Sequence, residues 1–145
     1  KPIVKRNMLK VVIDTNILIS GLLKSPSCRK IIRLLEGKRF ILVTSPPILD
    51  ELIGVISRPK FHNVILRETI EKLIEIIKAQ AILVKPSRLL FVIKEDPADN
   101  RFLEAALQAN VDFIISGNHH LLSLKNFHNI PIITSKEFLS RLKEK

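Results

Sequence analysis

A chain of 145 residues that is 46% hydrophobic and 26% charged can build one domain with a sizeable core. Its 24 Lys and Arg outnumber 14 Asp and Glu, and the net charge of +10 suits a polyanion such as nucleic acid, or simply a Lys-rich solvated surface. The one cysteine, Cys28, excludes an internal disulfide and a cysteine-based zinc site and fits a reducing cytoplasm, and no apolar run is long enough to span a bilayer.

Lys5, Arg6 and Lys10 precede an apolar stretch in the manner of a signal peptide, but Asp14 and Asn16 interrupt it and no small-x-small cleavage site follows. "KVVID" reads as a short buried strand ending on a carboxylate. "NILISGLL" and "PSCRKIIRLLEGK" read as helices, the second with Ile31, Ile32, Leu34 and Leu35 apolar and Gly37 as its stop. "FILVTS" is a second strand. "SPPILDELIGVISRP" is a helix opened by Ser45 and ended before Pro59. "RETIEKLIEIIKAQ" carries Ile70, Leu73, Ile74 and Ile77 at helical spacing, and "AILVKP" is a third strand. "DPADNRFLEAALQAN" is a helix, "DFIIS" a fourth strand, "HHLLSL" a short helix, "IPIITS" a fifth strand and "KEFLSRLKEK" a closing helix. Short apolar strands alternating with helices imply a parallel sheet covered on both faces, with ligands bound beyond the carboxyl ends of the strands.

Four places along this pattern carry chemistry, and each has a bland explanation beside it. Asp14, Thr15 and Asn16 suit a helix start, where their side chains bond backbone amides. A carboxylate at the end of a buried strand is also partly desolvated, and then needs a proton, hydrogen bonds or a cation. Asp50 and Glu51 border opposite edges of an apolar helix face, and periodicity chooses only weakly between them. Asp96 is a good N-cap, Pro97 suits the first helical position, and Asp99 complements the helix dipole. Asp99 also leads the apolar face formed by Phe102, Leu103 and Ala106. Ser116, Asn118, His119 and His120 follow the fourth strand. Adjacent histidines diverge and make poor joint ligands, whereas Asn118 offers a neutral oxygen.

Taken together, these segments resemble the PIN-domain family, metal-dependent ribonucleases that include VapC-type toxins of toxin–antitoxin pairs. "VVIDTNILISGLL" matches the family's opening strand, "LDELIGVISRPKF" the helix with the second acid, "DPADNRFLEAALQANVDFIISGNHHLLSL" the third motif running into the fourth, and "IPIITSKEFL" the closing strand and helix. The resemblance covers nearly the whole chain. It implies a three-layer α/β/α fold with a five-stranded parallel sheet in the order 3-2-1-4-5, in one domain over residues 1–145, with 1–9 an expected flexible N-terminal segment.

Carried over by motif, the family's acids fall on Asp14, Glu51 and Asp99. They are expected to hold Mg²⁺ or Mn²⁺, with Asn118 completing the catalytic set and Thr15, Asn16, Asp96 and Ser116 supporting it. Arg29, Lys30, Arg33, Arg101 and Lys125 are expected to hold the RNA backbone. With seven Phe and no Tyr or Trp, no base-stacking platform is evident. The resemblance further implies an antitoxin protein partner, a homodimer or higher homo-oligomer, no membrane association and a cytoplasmic location. Two positions depart from the family: Asn118 stands where an acid is usual, and Ala98 where many relatives carry Asp. The Asn118 departure supports an alternative, a catalytically weakened PIN domain that binds RNA or protein. A phosphatase with Asp14 as nucleophile ranks lower, because no second Asp follows at short spacing.

Overall fold

The computed structural model describes residues 8–143. The chain runs β1 (Lys10–Ile13), α1 (Thr15–Leu23), α2 (Pro26–Glu36), β2 (Ile41–Thr44), α3 (Pro46–Ile56), α4 (Pro59–His62), α5 (Arg67–Gln80) and β3 (Ile82–Leu83). After a long irregular segment come a 3-10 turn (Pro97–Asp99), α6 (Asn100–Ala109), β4 (Phe113–Ile115), α7 (His119–Leu122), β5 (Asn126–Phe127), β6 (Ile130–Ile133) and α8 (Ser135–Lys143). The sheet order is β3-β2-β1-β4-β6-β5, parallel except for the β5–β6 pair. The expected 3-2-1-4-5 order is therefore present among the five parallel strands, with β6 as the fifth.

Period-2 alternation along the strands sorts the core into two layers. Val11 and Ile13 of β1, Leu42 of β2 and Phe113 and Ile115 of β4 face one side, where Ile31 and Leu35 of α2, Leu73 and Ile77 of α5 and Phe138 of α8 cover them. Val12, Val43 and Ile114 face the other side, against Phe102, Leu103 and Ala106 of α6 and Leu121 of α7. Strands buried on both faces read as continuous apolar runs, as "VVI" and "FII" do here.

Several elements differ from the sequence expectation, among them the short α4, which was not expected. The sheet has six strands rather than five, because Asn126–Phe127 folds back antiparallel onto β6. His128 and Asn129 form the two-residue turn, both at positive φ (51° and 66°), which is a type I′ hairpin. The third strand is Ile82–Leu83 alone rather than 81–86, and both residues are exposed at the sheet edge. The helix expected from Asp96 begins as a 3-10 turn, so that α6 proper starts at Asn100 and the Asp96 side chain makes no capping bond. Among the described residues no helix is long and apolar enough to cross a membrane. Residues 1–7, most of the expected N-terminal segment, lie outside the described residues.

The α1–α2 pair depends on Gly21. A Cβ there would stand 2.6 Å from Cδ1 of Ile32 and 2.9 Å from the Cys28 carbonyl oxygen. Ile32 can swing aside, but the α2 backbone cannot. Gly21→Ala is therefore expected to lower stability by about 1–3 kcal/mol, the usual cost of overpacking, measurable by urea denaturation with an unchanged slope.

Candidate metal centre

Asp14 closes β1 and opens α1, so one residue serves as strand end and helix cap. Its N–H donates to the Ile115 carbonyl at 2.9 Å, which fixes it against β4. Its Oδ1 accepts the Asn16 N–H at 3.1 Å, the capping bond of α1. Its Oδ2 accepts the Ser116 hydroxyl at 2.8 Å. The side chain is only 3% exposed. Burial pushes its pKa up, the bonds from Asn16 and Ser116 pull it down less, and the Asp96 charge pushes it further up.

Asp99 lies on the 3-10 turn and is buried. Burial raises its pKa, as do the charges of Asp96 and Asp14, while Asn118 and His120 lower it. Glu51 comes from α3. Its pKa is raised by burial, then by Asp14, Asp99 and Asp96, and lowered by the Thr15 hydroxyl. Asp14 and Asp99 thus lie at the carboxyl edge of the sheet, where β1 adjoins β4, and the exposed Glu51 of α3 is near enough to feel both charges.

Asn118 ties the cluster together. Its N–H donates to Ser116 Oγ at 2.9 Å, and that hydroxyl in turn donates to Asp14. Its Oδ1 accepts the His120 N–H at 2.8 Å and caps α7. Its Nδ2 donates to Asp99 Oδ2 at 2.9 Å. An acid at this position would place a second negative oxygen against Asp99; the amide places a donor there.

The donor set fits a hard divalent ion. It consists of carboxylate oxygens, with Asp14 raising the pKa of Asp99 and Glu51 and Asp96 raising all three, and among the described residues no Lys or Arg forms an ion pair with any of the three. The Thr15 hydroxyl is buried near enough to Glu51 to favour its charged form, but among the described residues it has no partner within normal hydrogen-bond distance. Yet among the described residues no three His, Cys, Asp or Glu side chains converge tightly enough to enclose an ion by themselves. The arrangement therefore suits an ion held by one or two carboxylates with water completing the shell, as Mg²⁺ commonly is.

Against this geometry the comparisons are direct. The PIN domain profile matches residues 10–120, which carry all of these side chains. The chain belongs to the PIN domain family. PIN domains are as a rule nucleases that use divalent metal ions, typically Mg²⁺. The uncharacterized protein MJ1680 of Methanocaldococcus jannaschii is 29% identical over 147 residues, covering 94% of this chain and 93% of its own. Among solved structures, PAE2754 from Pyrobaculum aerophilum superposes with a TM-score of 0.65 at 8% identity, covering 95% of this chain and 91% of its own. VapBC2 from Rickettsia felis, bound to a DNA fragment from its promoter, superposes at 0.57 and 17% identity, covering 87% and 98%. Both likenesses concern the fold.

The five basic residues expected to contact RNA divide among α2, α6 and the turn after α7. Arg29, Lys30 and Arg33 lie on α2, on one face of the sheet, and Arg101 lies on α6, on the other. Arg29 donates to the carbonyls of Gly21 and Leu23, and Arg101 pairs with Glu104 at 3.1 Å. Both already have structural partners. Lys125 sits at positive φ between α7 and β5.

Sequence reasoning missed Asn100 and Glu104. The Asn100 carboxamide, fully buried, accepts the Ile93 N–H at 2.9 Å and donates to the carbonyls of Ile93 and Pro97 at 2.8 and 3.0 Å. Glu104 accepts the Leu90 N–H at 2.7 Å. Together they hold the irregular segment before the 3-10 turn, and so set the position of Asp96 and Asp99. The sequence signal was a polar residue directly before the apolar face of a helix. Asn100→Ala strands a buried N–H and two carbonyls and is expected to cost about 2–4 kcal/mol, read by chemical denaturation.

Proposed function

We propose that this chain is a divalent-metal-dependent endoribonuclease, the toxin component of a toxin–antitoxin pair, folded as one domain. The observation that supports this best is the pair of buried carboxylates, Asp14 and Asp99, tied together through Ser116 and Asn118 at the carboxyl edge of the sheet, with the more exposed Glu51 close enough to feel their charges. Such an arrangement is unfavourable in isolation and becomes favourable opposite a cation.

In this reading Asp14 and Asp99 hold Mg²⁺ or Mn²⁺, and Glu51 either binds through water or orients the attacking water. When bound, the ion supplies the charge that polarises a phosphoryl oxygen and lowers the pKa of water. Ser116 and Asn16 keep the Asp14 carboxylate in one rotamer, and Thr15 and Asp96 shape the field around it. Asn118 positions Asp99 and the first turn of α7. The +10 charge attracts the RNA backbone, with Lys30, Arg33 and Lys125 better placed to contact it than the already partnered Arg29 and Arg101. The partners proposed are RNA, an antitoxin protein and a second copy of the chain, in the cytoplasm.

A second reading, a weakened PIN domain that binds RNA or protein without cleaving, is favoured by one observation. The Asn118 amide already satisfies the Asp99 oxygen that a cation would take. Incubating the purified protein with several RNAs in Mg²⁺, Mn²⁺ or EDTA separates the two. Cleavage that requires the metal supports the nuclease, and binding of RNA without cleavage in any metal supports the second reading.

A further inference from the structure

We propose that His120 takes over the donor role that Asn118 gives up, so that its imidazole Nδ1, beside the Asp99 carboxylate, selects a borderline transition-metal ion such as Mn²⁺ or Co²⁺ over Mg²⁺. This rests on the acidic cluster being an ion site, as proposed above.

The orientation of Asn118 follows from what faces it. The His120 backbone N–H can only donate, so the oxygen of the amide must point at it, at 2.8 Å. The NH₂ group then points at Asp99 Oδ2, at 2.9 Å. One lone pair of the Asn118 oxygen is thus taken by the His120 N–H, and the other polar atom of its side chain is a donor turned to Asp99. A neighbouring atom that offers a lone pair, in the tautomer with the proton on Nε2, is His120 Nδ1. It is shielded from solvent and has no hydrogen-bond partner, a costly state for a polar nitrogen. It lies 3.7 Å from Asp99 Oδ2, too far for a hydrogen bond. Two donors each about 2.1 Å from one ion stand about 3–4 Å apart, so the spacing suits a shared ion.

The backbone that carries the ring is also held in place. The His120 N–H donates to Asn118 Oδ1, and its carbonyl accepts the Ser123 hydroxyl at 3.1 Å. The rest of the His120 ring keeps 28% of the side-chain surface in solvent, so the ring lies at the mouth of the cluster while Nδ1 faces Asp99. His119 is exposed and takes no part in these contacts with the acids. Imidazole is a good ligand for first-row transition ions, whereas Mg²⁺ takes oxygen almost throughout. A carboxylate-plus-imidazole pair should therefore discriminate where a pair of carboxylates would not. The competing account is that His120 is a protonated partner of Asp99 with no role in binding.

The test is calorimetry with Mg²⁺ and with Mn²⁺ on the wild type, His120→Gln, His119→Gln and Asp14→Asn, together with pulsed electron paramagnetic resonance of the Mn²⁺ complex. His120→Gln should weaken Mn²⁺ about tenfold and Mg²⁺ less than about twofold, while His119→Gln changes neither. The Mn²⁺ spectrum should carry a ¹⁴N coupling that His120→Gln removes. Equal losses for both ions, or a wild-type spectrum without nitrogen coupling, overturn the proposal. If His120→Gln does not fold, the wild-type spectrum decides alone. Ion binding that needs Asp14 but ignores His120 removes this proposal and leaves the nuclease reading standing. If neither ion binds the wild type, both readings fall.

Discussion

Asp14→Asn should reduce metal-dependent RNA cleavage by about a thousandfold or more and, at the same time, raise the thermal midpoint of the ion-free protein at pH 7. The first effect is the loss of a charged ligand from a site with few, worth several kcal/mol in the transition state. The second follows from burial. The Asp14 pKa is raised in the folded protein, so the folded state holds the proton more tightly than the unfolded chain. Its contribution to stability is fully present below the unfolded pKa and is lost as the pH rises through the raised folded value. Above that raised value the ion-free protein bears the cost of a buried charge beside Asp96, and a neutral amide of the same shape relieves it. Because the Asn16 N–H still finds an oxygen, much of the local bonding survives. The expected gain is about 3 °C, the shift that ~1 kcal/mol produces in a domain of this size. Melts in EDTA from pH 4 to 8 check it: the wild type should lose midpoint across this range relative to the variant. Mg²⁺ or Mn²⁺ should then raise the wild type more than the variant. A variant less stable than wild type at pH 7 in EDTA would mean that the hydrogen bonds outweigh desolvation, and the argument that the site awaits a cation would fail.

Much of this was legible in the sequence because buried parallel strands leave so little ambiguity. "VVI" and "FII" have apolar side chains on both faces and admit one place in a doubly covered sheet. Asp14 stood out for the same reason, since a carboxylate interrupts such a run. Glu51 did not, because Asp50 and Glu51 flank the same apolar stripe and only the charges of Asp14 and Asp99 across the site distinguish them. The segment between β3 and Asp96 was silent because it has no periodicity. It is held by the Asn100 amide and the Glu104 carboxylate from a later helix, and such long-range side-chain bonds leave no pattern in the segment they order. The short hairpin at the sheet edge was missed because His128 and Asn129, rather than a glycine, adopt positive φ. The Asp96 cap failed because a 3-10 turn intervenes, which turns its carboxylate from a helix cap into a charge on the site.

Asn118→Asp should produce the opposite signature to Asp14→Asn. A carboxylate at this position can still accept the His120 N–H and cap α7, so the helix start is preserved. It can no longer donate to Asp99, and the 2.9 Å contact becomes one between two negative oxygens. Without an ion, the variant should lose about 2 kcal/mol at pH 7, the scale of a hydrogen bond to a charged group. With an ion, the same two oxygens become ligands, and affinity for Mn²⁺ or Mg²⁺ should rise about tenfold, or ~1.4 kcal/mol. Asn118→Ala removes the bond to Asp99 and the α7 cap without adding a ligand, so it should lose stability with no gain in affinity. Calorimetry and melts with and without ion read both halves. A fall in ion-free stability without tighter binding would mean that the Asp99–Asn118 pair serves the fold and lies off the ion site. Tighter binding with a rise in cleavage would mean that the amide at 118 is what restrains this PIN domain, by giving Asp99 a permanent internal partner in place of an exchangeable cation.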